Sequence, residues 1–474
     1  MSARGAPSST QRDSRGYPRY WDEERETMKS SRRDQAILER LKEQLHYVYS
    51  ELPFYRRLYD DHGVKPDDVQ SLEDFTTKIP VITKKMLVAD QEANPVFGSY
   101  TKEFPQDQIA RIHGSSGTSG KPTLYGVSQR DWDRSADVHA MAQWCAGIRP
   151  DDLFQVGFPF SLFFGGWGVI QGAERIGATL FPLGVIDSER HLELLFRLQA
   201  TAFSATPSYC LHLLSIAERM GLDVANGPVR HLLVGGEPGG SLPGTKELIE
   251  AGWGATCADA GSTSEMYPFQ TNVGCEEGQG THLITDEVYT EIADRDDSNA
   301  PAPEGSRGAI IYTHLWRESQ PMIRFWAGDE TWMTRETCSC GRTYPRLPEG
   351  VLGRLDDMLV IRGVNIYPSM VEMALRSVDD LGAEFVIQVE KRGALDEVQV
   401  LAELGEAAAK AVSDLPANDA ASRRKAIIKE AETRLRQLTN IRVPVALLDP
   451  GALPATTFKA RRVVDKRGRV GGGH

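Results

Sequence analysis

No run of 18 apolar residues occurs in the sequence, and its first residues are polar and charged. A membrane-crossing helix needs about 20 consecutive apolar residues. Neither a membrane span nor a secretory leader is therefore readable, and a cytoplasmic location is the expectation. Cysteine is scarce, six in 474 residues, too few for a disulfide scaffold. Basic residues are outnumbered: 54 Lys and Arg face 66 Asp and Glu, a net charge of −12. An acidic surface argues against nucleic acid as the main partner, because phosphate contacts need a basic face. Internal repeats are absent.

What is present is ordinary globular material, long enough for two or more domains. Residues 1–17 are Ser, Arg, Gly and Pro with little that could pack, so they are expected to be disordered, as is the tail 470–474. Ala36, Ile37, Leu41, Leu45 and Val48 recur at helical spacing, and Ser71 reads as an N-cap. From residue 131 onward, helical patterns alternate with short apolar strands, which implies parallel sheets covered on both faces. Strands recur at 287–292 and 308–312. Beyond about residue 353 the pattern becomes a hairpin (357–366), a helix (369–377), two β-rich stretches, a charged helix (421–438) and a last strand at 442–448. The fold class is α/β, a large N-terminal domain with sheets flanked by helices (18–353), then a hinge (354–357) and a small α+β domain (358–469).

Several stretches suit chemistry. Within Gly114–Lys121 lie three glycines, three serines, a threonine and a lysine. Such a loop can turn N–H groups inward and set one cation over a polyphosphate; it is also the composition of a plain surface loop. It is not a Walker loop, since Pro122 follows Lys121 and Ser115 stands where that pattern has Gly. Asp259-Ala-Gly-Ser-Thr-Ser-Glu265 places carboxylates around a turn, suiting Mg²⁺ beside phosphates or a capped turn. Asp329, after a strand, could accept bonds from ribose hydroxyls or sit solvated. Cys338-Ser-Cys340, with Cys275 and His282 upstream, makes a Cys₃His set suited to closed tetrahedral zinc. Five aromatics crowd Phe158–Trp167, which reads as core or as an aromatic-walled pocket.

The order Ser115-Ser-Gly-Thr-Ser-Gly-Lys-Pro-Thr123 resembles the phosphate loop of the acyl-adenylate-forming superfamily. Its surroundings resemble the phenylacetate–CoA ligase branch, from about residue 20 to 467. The stretch Gly353-Arg-Leu-Asp-Asp357 through Gly363-Val-Asn-Ile-Tyr-Pro368 is similar to the superfamily's hinge and is the most specific match. The resemblance implies ATP, Mg²⁺ and coenzyme A as cofactors, a mobile small domain, and a two-step reaction: an aryl or arylacetic carboxylate forms an acyl-AMP, then a CoA thioester.

It also implies roles. Ser115, Ser116, Gly117, Thr118, Ser119 and Gly120 would cradle phosphate, with Lys121 and Lys459 as catalytic cations and Glu265 as the magnesium ligand. Gly236, Glu237, Asp259, Ala260, Gly261, Ser262 and Thr263 would line the nucleotide, Asp329 would meet ribose, and Arg354 would contact ribose or phosphate. Asp356 would be the hinge; Phe158, Phe163 and Gly235 would border the acyl group. Some branch members carry zinc in the region of Cys275, His282, Cys338 and Cys340. This chain departs from the family pattern at Gly261 and Ser262, where tyrosine and glycine are usual, and at Phe458, where glycine is usual before the lysine. A carrier-protein thiol or an amine stays open as the acceptor. So does a non-catalytic nucleotide-binding protein. Members of the branch are often dimeric, which makes a homodimer an expectation.

Overall fold

A computed structural model describes residues 7, 9–102, 108–115, 123–162, 164–355, 359–361, 364–392, 395–439, 441–454 and 462–467. The large lobe is built on an eight-stranded sheet. Its order is Arg346–Leu347, Thr281–Leu283, Asn272–Gly274, Thr256–Gly261, His231–Gly235, Ala202–Ala205, Leu153–Val156 and Thr179–Phe181. The last five are parallel, as strand–helix alternation requires. Ala202–Ala205 and His231–Gly235 are buried along their whole length, the mark of central strands covered on both faces. The strands from Asn272 onward join antiparallel, so the sheet is mixed rather than parallel throughout.

A four-stranded sheet follows, ordered Val288–Ala293, Gly308–His314, Phe325–Thr331 and Gly353–Arg354. A separate hairpin pairs Ile109–Gly114 with Leu124–Ser128, setting His113 opposite Tyr125. Its tip is the stretch 116–122, which lies outside the described residues.

Helix Pro207–Met220 is fixed at both ends by its sequence. Thr206 accepts from the Tyr209 N–H, Pro207 opens the first turn, and Gly221 closes it in the left-handed region at φ 69°. Its apolar face enters a core shared with Phe203, Leu232, Ile249 and Trp253. Helix Ser30–Glu51 buries Ile37, Leu41, Leu45 and Val48 as its spacing requires, together with Arg33 and Gln44. Those two polar side chains donate to the carbonyls of Thr343 and Arg317, which offsets part of the cost of burying them.

The expectation for residues 1–17 is corrected over the described positions 9–17. Asp13 pairs with buried Arg149 at 2.7 Å, Arg15 with Asp152 at 3.1 Å, and the Tyr17 ring packs edge-on against Trp144. The segment is held by ion pairs, which hydrophobic patterning does not register. Residues 470–474 lie outside the described set.

The C-terminal part has its own core, including Ile366, Val371, Phe385, Ile387, Val400 and Leu435. Helices Pro368–Arg376 and Ala417–Thr439 accompany a sheet ordered Val445–Leu448, Leu395–Leu404, Leu381–Arg392, Val463–Asp465. The closing strand is thus Val463–Asp465, parallel to Leu381–Arg392, rather than the one expected at 442–448.

Candidate active site

Among the described residues, the predicted site positions 235–237 and 259–263 lie at and just beyond the ends of two neighbouring parallel strands. Gly235 ends its strand opposite Ala260, and a Cβ there would collide with the Ala260 carbonyl oxygen. Only glycine permits that approach. Glu237, two residues on, accepts from the Ser208 N–H at 2.8 Å, at the start of helix Pro207–Met220. Burial, reinforced by the Glu372 carboxylate, pushes the Glu237 pKa up against those bonds.

Asp259 lies one strand over. Burial raises its pKa to about 6, opposed by bonds from the Ser241 hydroxyl and the Ala260 N–H. Gly261 closes the strand opposite Asn272. A Cβ at 261 would sit 2.5 Å from Asn272 Nδ2, so the Asn272 amide takes up the space into which a side chain at 261 would project. Ser262 Oγ donates to the Phe269 carbonyl at 2.9 Å, and Thr263 Oγ1 is buried without a hydrogen-bond partner.

Glu265 is buried in the turn Ser264–Met266. Its Oε1 lies 3.2 Å from the Tyr125 hydroxyl and 3.1 Å from Lys84 Nζ, and Arg317 donates to its carbonyl at 3.0 Å. Tyr125 belongs to the hairpin whose tip is the glycine-rich loop. Ser115 and Thr123 close the base of that loop: Ser115 N–H donates to Thr123 O at 3.0 Å, and Thr123 N–H to Ser115 Oγ at 3.2 Å.

Asp329 and Arg354, 25 positions apart in sequence, are direct register partners in the four-stranded sheet. Arg354 Nη1 stands 3.9 Å from Asp329 Oδ1. Tyr312 joins this pair to the other sheet. Its hydroxyl bonds to the Thr271 and Asn272 side chains, and burial beside the Asp329 carboxylate pushes its pKa up.

Ser116, Gly117, Thr118, Ser119, Gly120, Lys121, Phe163, Asp356 and Lys459 lie outside the described residues. Phe158 is buried in the main core. Phe164 packs among His113, Trp132, His139 and Tyr267, with ring centroids 5.0–5.5 Å apart. It serves as core. Phe160 meets Trp167, and the Arg111 guanidinium lies over the Trp132 and Trp167 rings.

Cys275, His282, Cys338 and Cys340 converge, all buried, their donor atoms within 4.8 Å of one another. Cys275 Sγ is 3.8 Å from Cys338 Sγ, and Cys340 Sγ is 3.4 Å from His282 Nε2. Tetrahedral zinc, with bonds of about 2.0–2.3 Å, spaces its ligand atoms about 3.5–3.8 Å apart, so the donor set fits. Hydrogen bonds from the Cys275 and Cys338 thiols hold Cys340 well below the usual thiol range, while the same contacts raise Cys275. A buried thiolate is the form that binds metal. Leading-segment residues strap this corner: Tyr20 donates to the Cys340 carbonyl, and Glu26 pairs with buried Arg342 at 2.6 Å.

Lys84, Tyr125, Asn272 and Tyr312 were not signalled by any motif. Each acts through a partner distant in sequence, which single-sequence patterning does not register.

A family model described as AMP-binding enzyme C-terminal domain matches residues 363–467. The phenylacetate–coenzyme A ligase of Thermus thermophilus is 35% identical over 435 residues, covering 90% of this chain and 95% of that protein. A 2-hydroxyisobutyryl-CoA ligase in the postadenylation state, in complex with 2-HIB-AMP, superposes with a TM-score of 0.88 at 41% identity, over 95% of this chain and 93% of the other. The same ligase with 2-HIB-AMP and CoA in the thioesterification state gives 0.71 at 39% identity, over 98% and 97%.

Proposed function

The chain belongs to the acyl-adenylate-forming family, in its phenylacetate–coenzyme A ligase branch, and from that membership we propose that its substrate is an aryl or arylacetic carboxylate. The activity is that of an ATP-dependent, AMP-forming acid–CoA ligase. A carboxylate oxygen attacks the α-phosphorus of ATP and the bond to the β-phosphoryl group breaks, releasing pyrophosphate. The sulfur of coenzyme A then attacks the acyl carbon. AMP departs with the electron pair of the broken C–O bond, and the thiol proton passes to solvent.

One observation supports the site assignment above the others. Tyr312 bonds to Thr271 and to Asn272, the register partner of Gly261, and feels the Asp329 carboxylate, which supports a rim to which both sheets contribute. We assign Asp329 and Arg354 to ribose, the 235–237 and 259–263 segments to the nucleotide base and acyl walls, and Glu265 to magnesium. Lys121 and Lys459 are assigned as the cations that meet phosphate and carboxylate charge in the first step; one such contact is worth on the order of 10²–10³ in rate. The four-residue Cys/His cluster holds structural zinc, closed to substrate because every position is taken by protein.

The domain placement matches the first half of the cycle. At nearly unchanged identity, similarity to one ligase falls from 0.88 in the postadenylation state to 0.71 in the thioesterification state. A drop within one relative reflects arrangement, not sequence. That difference supports a small-domain arrangement like the one around a formed acyl-AMP.

A second acid class has its own support, since that relative at 41% identity is named for the small branched 2-hydroxyisobutyryl group. Pyrophosphate exchange with ATP, run against benzoate, phenylacetate and 2-hydroxyisobutyrate, separates the two. Exchange with an aryl acid followed by its CoA thioester supports the first reading. Exchange with 2-hydroxyisobutyrate alone replaces it with the second.

A further inference from the structure

Helix Pro207–Met220 presents one face to the small domain. Ser208, His212 and Arg219 are spaced by four and seven residues, which places them along a single stripe. Each meets a carboxylate. The Ser208 N–H holds Glu237 at 2.8 Å. His212 Nδ1 lies 3.8 Å from Glu384 Oε1, and Arg219 Nη1 lies 3.5 Å from Glu406 Oε1. Glu237 belongs to the nucleotide wall, whereas Glu384 and Glu406 belong to the small domain. The stripe thus runs from the reaction site to the domain that moves.

The part of the small domain that meets it is irregular by construction. Strand Leu381–Arg392 shifts register against Leu395–Leu404 between Leu381 and Phe385, and such bulges re-aim side chains. Two guanidiniums hold this one. Arg376 donates to the carbonyls of Gly382 at 2.9 Å and Ala383 at 2.7 Å. Arg462 donates to the Ala383 and Phe385 carbonyls at 3.3 Å and to Glu384 Oε2 at 3.0 Å, and lies over the Phe385 ring. So held, Ala383 packs against the large domain's second core, beside residues of the same helix. Arg462 is three residues beyond Lys459 in sequence.

We propose that the 382–384 bulge, docked on the Ser208–His212–Arg219 face, is the positioning contact that holds the small domain in its acid-activating arrangement. This rests on the two-step reading above. His212, Arg219, Ala383 and Glu384 touch no reacting atom. They act by setting where Arg462 stands relative to Glu237. Since the docked face must separate when the small domain turns, the contact favours the first half-reaction and not the second.

The test uses full-length enzyme and whichever acid supports exchange in the panel. Ala383→Arg drives a charged side chain into the docking contact. Arg219→Glu, on an exposed part of the helix, reverses one cross-domain pair without touching either core, and Arg219→Glu with Glu406→Arg restores it in opposite sense. The predicted result is a drop of about tenfold in ATP–pyrophosphate exchange for A383R and a smaller one, about threefold, for R219E. Single-turnover transfer from preformed acyl-AMP to CoA stays within about twofold for both, and the double exchange recovers most of the R219E loss. Equal loss in both half-reactions, no loss in either variant, or failure of the double exchange to recover would overturn the proposal. If the unaltered enzyme exchanges with no acid at all, the ligase reading itself falls, a result visible before any variant is made.

Discussion

Lys84 Nζ lies 3.1 Å from Glu265 Oε1, and the same oxygen is 3.2 Å from the Tyr125 hydroxyl. Three separate segments of the chain therefore meet at one carboxylate. Glu265→Gln keeps the shape and removes the charge that would hold Mg²⁺. ATP–pyrophosphate exchange should fall on the order of 10²-fold. Lys84→Met should cost less than about tenfold, mostly in KM for MgATP, because Tyr125 still orients the carboxylate. An unchanged exchange rate in E265Q would remove Glu265 from the metal site.

The Asp329–Arg354 pair yields a second prediction. An aspartate that accepts from ribose hydroxyls contributes charge-assisted bonds worth about 1.5–3 kcal/mol. Asp329→Ala should raise KM for ATP roughly tenfold to a hundredfold and leave KM for CoA unchanged. Tyr312→Phe, which touches Asp329 only indirectly, should have a smaller effect of the same kind. Calorimetric titration with ATP and with CoA distinguishes the two sites.

Elemental analysis of the purified protein should return close to one zinc per chain. Cys338→Ser should lower that content sharply and lower the melting temperature, since metal binding contributes directly to folding stability. Pyrophosphate exchange per folded molecule should persist. A variant that keeps its metal, or a native preparation holding none without prior chelation, would remove the zinc assignment.

His139 sets a pH dependence of stability. Burial lowers its pKa to about 4, against the carbonyl of Pro268 that its Nε2 meets at 2.9 Å. The folded value lies below the unfolded one of about 6.5, so between these values the unfolded chain binds the extra proton. Stability from this group is complete above pH 6.5 and lost as pH falls towards 4. The full loss is roughly 3 kcal/mol, with about 2 kcal/mol gone by pH 5. His139→Gln, which retains a donor for Pro268, should show a smaller fall in melting temperature between pH 7.5 and pH 5. Parallel curves would assign the acid sensitivity elsewhere.

The elements most legible in the sequence are those whose stabilisation is local and periodic. The helix burying Ile37, Leu41, Leu45 and Val48, and the Ser71 cap that accepts from the Asp74 N–H at 3.0 Å, follow from spacing and residue type. The Cys/His set was legible because few residue types gather in that combination without a shared role. The site was legible as separate motifs, but not as an assembly. Nothing in a single chain states that Asp329 faces Arg354 across a sheet, or that the Asn272 amide crowds Gly261. The leading segment escaped notice for a related reason. Asp13 and Arg15 are fastened by charges on Arg149 and Asp152, and a polar stretch held by ion pairs has the composition of an unstructured one.

The strap from the leading segment to the Cys/His corner also dictates an order of assembly. Glu26 and Arg33 find their partners at Arg342 and Thr343, more than 300 residues later. During synthesis these buried polar contacts cannot form until most of the large lobe has emerged from the ribosome. Contacts so remote in sequence are slow to close. The large lobe should therefore mature late, while the small domain, with its own core, can form independently as the last quarter of the chain appears.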